Sequence, residues 1–310
     1  MKTDNLLKKT SVVCLIAGIC SFLWGSAFPS IKIGYELFEV ASDDTASQIL
    51  FAGIRFTLAG ILAVIMASAA NKKLIIPKKN DIAPVFILSI FQTILQYFFF
   101  YIGLANTSGV KASVIIGANV FIVILISCIV FRTEKITTKK ILGSIVGFAG
   151  IILINLSGLT DGSMKFTGEG FIFLSTVAYA FSSGLMKNYS KKHDTVMLSG
   201  YQFIFGGIVM TVAGFLMGGT ISASSGKAIP MLLYLAFISA AAYSLWSMLL
   251  KHNDVSSVAI YGFMNPMFGF ILSAILLNER GEAFGINGII AILLVCAGIF
   301  IVNKKEKSMS

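Results

Sequence analysis

Ser89, Gln92, Thr93 and Gln96 recur at i, i+3, i+4 and i+7, which puts four polar side chains on one stripe of a helix, with Tyr97 beside it. The residues around them are apolar. Amides and hydroxyls set in such a run are costly unless they are hydrogen-bonded. The stripe therefore either walls a wet cavity, offering amide donors and acceptors to a solute, or bonds to a neighbouring helix. Asn119 and Asn265 each sit in the middle of another apolar run. Pro266 removes a backbone donor and frees a carbonyl next to Asn265, which suits a gate or a binding site as well as a packing kink. Trp24, Tyr179, Tyr243 and Trp246 bring aromatic faces, and Tyr243 and Trp246 are one helical turn apart. Such rings serve packing and lipid contact more often than ligand binding. Ser182 and Ser183 are small polar groups that also serve close helix contact.

Charged groups inside the runs are few. Arg55 lies about two turns into its run from the outer face. It either pairs with Glu36, Glu39, Asp43 or Asp44 in the connection at 35–45, the reading favoured here, or meets an anionic solute. Lys32 and Lys187, near run ends, read as snorkelling anchors. No Asp or Glu falls in the middle of a run. A membrane carboxylate is the usual means of exchanging protons or binding cations, so a uniporter or exchanger is expected over a proton antiporter. His193 and His252 have no second ligand near them in sequence, and Cys14, Cys20, Cys128 and Cys296 lack metal-ligand spacing. No nucleophile motif or phosphate loop is present. Catalytic residues, metals and cofactors are accordingly not expected, nor is an enzyme.

Positioning these groups falls to membrane helices. The chain is 56% hydrophobic and 12% charged, more apolar than 310 residues of water-soluble protein can bury. Ten runs are long enough for helices through hydrocarbon: 12–34, 46–70, 82–104, 110–131, 140–157, 168–187, 196–218, 229–250, 255–277 and 284–302. Of the 24 Lys and Arg, only Lys111, Lys165, Lys227 and Arg280 fall in connections on one side; Lys32 and Arg55 belong to runs. The rest mark the cytoplasmic side, so the net charge of +10 orients the chain in a membrane and does not signal nucleic acid, and both termini are expected inside.

The runs repeat. Gly53/Gly200, Phe56/Phe203, Gly60/Gly207 and Ile61/Ile208 coincide at an offset of 147. Asn119/Asn265 are 146 apart, Glu134/Glu279 and Gly143/Gly288 are 145 apart, and FAGIILIN at 148–155 matches CAGIFIVN at 296–303. The expectation is an all-α membrane protein of two five-helix units, 1–157 and 158–310, divided near the polar stretch 158–167. Five is odd, so the second unit enters the membrane in the opposite sense. The units then form an inverted repeat.

Trp24-Gly25-Ser26, Phe28-Pro29, Arg55-Phe56, Glu134 and the Gly143…Gly150 pattern, in this order, make the chain resemble the drug/metabolite transporter superfamily in its ten-helix, EamA-domain form. The resemblance covers essentially the whole chain. It implies a carrier, usually an exporter, with a central cavity lined by helices one, three, four, six, eight and nine, while five and ten lie aside. One departure is Val120 after Asn119, where proline is frequent in the family; Pro266 follows Asn265 as expected. By that placement the substrate-binding set is Trp24, Ser89, Gln92, Gln96, Tyr97, Asn119, Tyr179, Ser183, Tyr243, Trp246 and Asn265. The expected activity is alternating-access export of small organic metabolites, amino acids or related compounds first, across the cell membrane. Nucleotide sugars or other phosphorylated metabolites are the alternative, which would call for more inward Arg or Lys. The expected partners are the solute and the lipid bilayer. Gly143…Gly147 would permit a homodimer, although packing within the chain is the favoured use.

Overall fold

The computed structural model describes residues 6–41, 43–107, 112, 115–154, 165–276 and 286–304. Regular structure among them is all helical, without a strand. In chain order the helices are α1 (Thr10–Leu37) and α2 (Thr45–Ala70), then α3 (Ile82–Leu88, Ser89–Leu95 and Gln96–Ala105, end to end). Next come α4 (Ile115–Val130), α5 (Thr138–Ile154), α6 (Phe166–Gly170 and Phe171–Tyr189), α7 (Thr195–Leu216) and α8 (Ala228–His252). The last are α9 (Val255–Ala259, Ile260–Phe263 and Met264–Leu276) and α10 (Ile286–Asn303). Glu279, Lys111 and most of the 158–167 boundary lie outside the described residues.

Among the described residues, five helices are long and apolar enough to cross a bilayer on their own: α1, α2, Lys79–Leu104 of α3, α7 and α8. Their surroundings fit that role. Large apolar side chains such as Leu15, Ile65, Phe215, Leu293 and Phe300 stand exposed on the perimeter, while Ser21, Gln48, Arg55, Gln92, Ser199 and Gln202 are buried. Polar inside and apolar outside is the arrangement that lipid demands and water does not. The protein is a multi-pass membrane protein by this distribution.

The helices are interrupted where polar residues lie. Ser89–Leu95 and Ile126–Val130 are wound as π-helix, and Ile260–Phe263 as 3₁₀-helix. Pro266 explains the last, since its missing N–H leaves the carbonyl four residues before it without a helical partner. α4 is broken by a turn at Ala118, directly before Asn119, with no proline. At the other extreme α2 begins cleanly. Asp44 caps it, accepting from Ser47 N at 3.0 Å and Ser47 Oγ at 2.5 Å. Those two bonds hold the Asp44 carboxyl below its usual range.

The tightest contact joins α2 to α7 through glycines. The touching pairs are Leu50–Gly214, Gly53–Thr211, Thr57–Gly207, Gly60–Ile204 and Val64–Gly200, so numbers fall in one helix as they rise in the other. The two helices are antiparallel. A Cβ added at Gly207 would lie 2.4 Å from Thr57 N. α5 and α10 also pack antiparallel, through Gly143–Val302, Gly147–Gly298 and Gly150–Val295. Elsewhere α1 packs on α8 and α9, and α6 on α3 and α4; α2 touches α8, and α7 touches α3. Exchanging every helix with the one five later leaves this set of neighbours unchanged.

Because the α2–α7 contact is backbone to backbone, Gly207→Ala has no side chain to push aside. It should cost about 1–3 kcal/mol and lower the thermal midpoint in detergent. Gly226→Ala, with nothing within 4 Å of the new Cβ, should stay within about 0.5 kcal/mol of wild type. Equal midpoints for the two variants would refute the contact.

Candidate binding cluster

Four rings meet where α2, α3, α7 and α8 come together. Phe56 stacks on Phe203, with centroids 5.3 Å apart and planes 6° from parallel. Phe56 also lies 4.3 Å from Tyr97, and Phe203 lies 4.9 Å from Tyr243. The Tyr97 and Tyr243 hydroxyls bond to each other at 2.8 Å. Phe56 and Phe203 are repeat counterparts by the offset of 147. Tyr97 and Tyr243 are 146 apart, the same separation as Asn119 and Asn265. Each ring thus touches its own counterpart.

Two equivalent polar pairs flank this block. Arg55 Nη2 donates to Ser239 Oγ at 3.0 Å, and Thr93 Oγ1 donates to Gln202 Oε1 at 2.6 Å. Arg55 and Gln202 are 147 apart and Thr93 and Ser239 are 146 apart, so these are the same interaction in two halves of the chain. The sequence reading did not join them, although their spacing repeats offsets already visible. Arg55 also lies over the Phe56 ring at 5.0 Å, a cation–π distance. The expected pairing with the 35–45 connection is not made. Arg55 is the eleventh residue of α2, about 15 Å along it. Asp44 is engaged as the cap of α2, while Glu36, Glu39 and Asp43 are exposed.

On the α1 side, Trp24 packs 5.1 Å from Tyr243 and 5.0 Å from Trp246. Trp24, Tyr97 and Tyr179 all pack on one small core with Phe56, Tyr101 and Tyr243. The expected residues Trp24, Tyr97, Tyr179, Tyr243 and Trp246 therefore come together. Gln96 lies beside Tyr243. Polar atoms remain unsatisfied here: Trp24 Nε1, Arg55 Nε, Gln92 Oε1, Gln96 Oε1 and Gln202 Nε2 are buried without a protein partner. Buried polar atoms are seldom left so, which makes this concentration the candidate binding cluster.

The α3 stripe divides in two. Ser89 Oγ is taken up by Val85 O at 2.7 Å and Gln202 O at 3.0 Å, and Thr93 by Gln202, so this pair bonds to α7. The π-helical winding widens the turn and leaves Gln92 and Gln96 with free amide oxygens. Ser183 Oγ bonds back to Tyr179 O at 3.1 Å within its own helix. Asn119 Oδ1 and Asn265 Oδ1 are also buried and unpartnered, on α4 and α9, whose Val120 and Met264 share a core with Trp24, Tyr179 and Trp246. Two grooves of about 220 and 430 Å³ are lined almost wholly by apolar residues of the perimeter, Ile54, Leu58, Ile208 and Val212 in one and Leu15, Ile19 and Phe22 in the other. They face where lipid tails would be and are separate from the cluster.

The sequence profile of the EamA-like transporter family matches residues 11–156 and 166–304. The chain is 27% identical to a Bacillus subtilis (strain 168) protein named uncharacterized transporter YvbV, over 97% of this chain and 94% of that one. It is 26% identical to an Archaeoglobus fulgidus protein named uncharacterized transporter, over 94% of this chain and 97% of that one. A solved structure titled only as a crystal structure of protein superimposes with a TM-score of 0.76 at 15% identity, covering 94% of this chain and 96% of the other. That likeness establishes the fold.

Trp24 and Trp246 are the two tryptophans of the chain, and both belong to the cluster. A solute entering it should therefore change intrinsic tryptophan emission in titrations of the purified protein. Trp24→Phe and Trp246→Phe should each remove part of the signal. Emission unmoved by a solute shown to bind would place that binding elsewhere.

Proposed function

The chain belongs to the EamA-like transporter family, and from that premise we propose that it is a secondary transporter, exporting small organic metabolites across the cell membrane. Amino acids or related compounds are the substrate class, and alternating access around the ring block is the mechanism. The observation that carries this reading is the concentration of unpartnered donors and acceptors, Trp24 Nε1, Gln96 Oε1 and Arg55 Nε, around aromatic faces in mid-helix. Amides with aromatic walls suit a small zwitterion or neutral molecule: rings cover its apolar part while fixed dipoles satisfy its polar ends. A phosphorylated solute would call for several inward cations, and Arg55 alone borders this cluster among the described residues.

The proposed architecture is ten spans in two inverted five-helix units, 1–157 and 158–310, with both termini cytoplasmic. It is supported by the antiparallel course of α2 and α7. These helices carry the clearest sequence repeat, so the operation relating them reverses direction. The strongest helix contacts map onto one another under exchange of the two sets of five, which supports it too. Two such units about one block can rock between an inward and an outward opening of similar energy. The membrane-embedded stretches described here hold no mid-span carboxylate, so exchange or uniport is the proposed mode.

Counterflow in proteoliposomes tests this directly. A panel of amino acids and neutral metabolites should include solutes that cross faster than through empty liposomes. Gln96→Leu and Tyr243→Phe should each lower that flux about tenfold at unchanged thermal midpoint, as loss of one ligand hydrogen bond implies. Collapse of the proton gradient should leave exchange intact. Flux equal to that of empty liposomes for the whole panel would overturn the proposal.

A further inference from the structure

The two polar pairs that flank the ring block match in kind except for one change of charge. Where Gln202 meets Thr93, its counterpart Arg55 meets Ser239. A neutral amide on one side is thus a permanent cation on the other, at similar depth and against the same kind of hydroxyl partner. We propose that Arg55 is the anchor for a substrate carboxylate, and that the Arg55/Gln202 difference fixes which way a polar substrate lies in the cluster. This rests on the transporter reading above.

Burial and bonding argue for it. Arg55 is 4% exposed. Its Nε has no acceptor, and among the described residues no carboxylate lies within salt-bridge distance. Its surroundings are the Ser239 hydroxyl, the Phe56 face and, within electrostatic reach, Tyr35, Tyr97, Tyr101 and Tyr243. Phenols, a ring face and one hydroxyl soften the cost of a buried guanidinium but do not neutralise it. A carboxylate would accept from the free Nε and supply the missing charge, and the fork geometry of arginine matches it bidentately. Arg55 lies against Phe56, and Tyr97 and Tyr243 lie near both Arg55 and Gln96, whose Oε1 is without a partner. A carboxylate on Arg55 therefore leaves the rest of a small substrate against the rings and the Gln96 oxygen. That oxygen lacks a donor, which an ammonium would provide. A phosphate dianion would find one cation for two charges, so a single carboxylate is the better match.

Arg55→Gln tests the assignment. Gln202 already holds the equivalent place against a hydroxyl, so the variant restores a pairing that this fold accommodates. The probes are the common L-amino acids, acetate and benzoate, each set beside its carboxamide. Binding is read by tryptophan emission and thermal shift, and transport by counterflow. Wild type should bind carboxylates at least about tenfold more tightly than the matching carboxamides, and Arg55→Gln should bring that ratio close to one. Arg55→Lys should retain part of the preference. A thermal midpoint of Arg55→Gln near that of wild type shows that the loss is not unfolding. Wild type without a carboxylate preference, or a preference unchanged in Arg55→Gln, overturns the anchor. Saturable flux of solutes without that preference would sink the anchor and leave the transporter reading standing. Arg55-dependent carboxylate binding with no flux of any solute would do the reverse.

Discussion

The glycine contact between α2 and α7 sets the geometry on which everything near it depends. Helices in lipid gain little from burying apolar surface against each other, since the tails are as apolar as the side chains. What they gain is close dispersion contact, and Gly53, Gly60, Gly207 and Gly214 let two backbones touch where side chains would hold them apart. Once the register is fixed by Thr57 against Gly207, Phe56 must fall on Phe203. The residues just before them, Arg55 and Gln202, are then delivered to the two flanks of the ring block. Tyr97 and Tyr243 close it from α3 and α8.

Such a junction is a poor place for a charge. Moving a guanidinium out of water costs several kcal/mol even after its surroundings relax, and the compensation seen here is one hydroxyl and one ring face. Gln202 shows that a neutral residue fits the equivalent position and finds a partner. The packing of this fold therefore does not require arginine at 55. That separates Arg55 from Lys187, whose ammonium is satisfied by the carbonyls of Asn253 at 2.5 Å and Lys251 at 3.4 Å near the end of α8. It also separates it from Lys140, which meets Glu134 at 2.7 Å.

Much of this was legible in the sequence, because lipid allows few solutions. Apolar runs match the helices, α9 is broken beside Asn265 where Pro266 makes a kink expected, α4 is also broken beside Asn119 without a proline to announce it, and the five aromatic residues singled out do converge. The parts left open by the sequence depend on local winding and on which residues touch. Period 3.6 put Ser89, Gln92, Thr93 and Gln96 on one stripe, but the π-helix at Ser89–Leu95 turns two of them to α7 and leaves two with free oxygens. Composition carries no mark of such a turn. The acidic residues at 36–44 suggest a partner for Arg55, but Asp44 is taken up as the cap of α2 and the others face solvent. The Arg55–Ser239 and Gln202–Thr93 equivalence lay within the repeat offsets. It is visible only in the structure, because the two offsets, 147 and 146, do not say which residues touch.

The lysine-rich ends of the helices bear on how such a carrier moves. Glu134 accepts from Ser256 N at 3.0 Å and from the Ser256 hydroxyl, Asn253 Nδ2 donates to Leu7 O at 2.9 Å, and His193 Nδ1 meets Asp81 at 2.5 Å. These bonds tie segments far apart in sequence. At the other ends, Ser222 N and Ser224 N donate to Phe38 O and Leu37 O, and Thr107 donates to Glu169. A neutral bond exchanged for water is worth about 1 kcal/mol net and a charged one about 2, so parting the lysine-rich ends, with three charged bonds and one neutral, costs about 7 kcal/mol. Turning a 1:99 population into 99:1 takes about 5.5 kcal/mol of differential affinity. The two magnitudes are close. Ends held by a few exchangeable bonds can be opened by what one small solute gains in a junction of rings and amides, whereas a glycine-locked pair such as α2 and α7 cannot be parted at that scale and must move as one body.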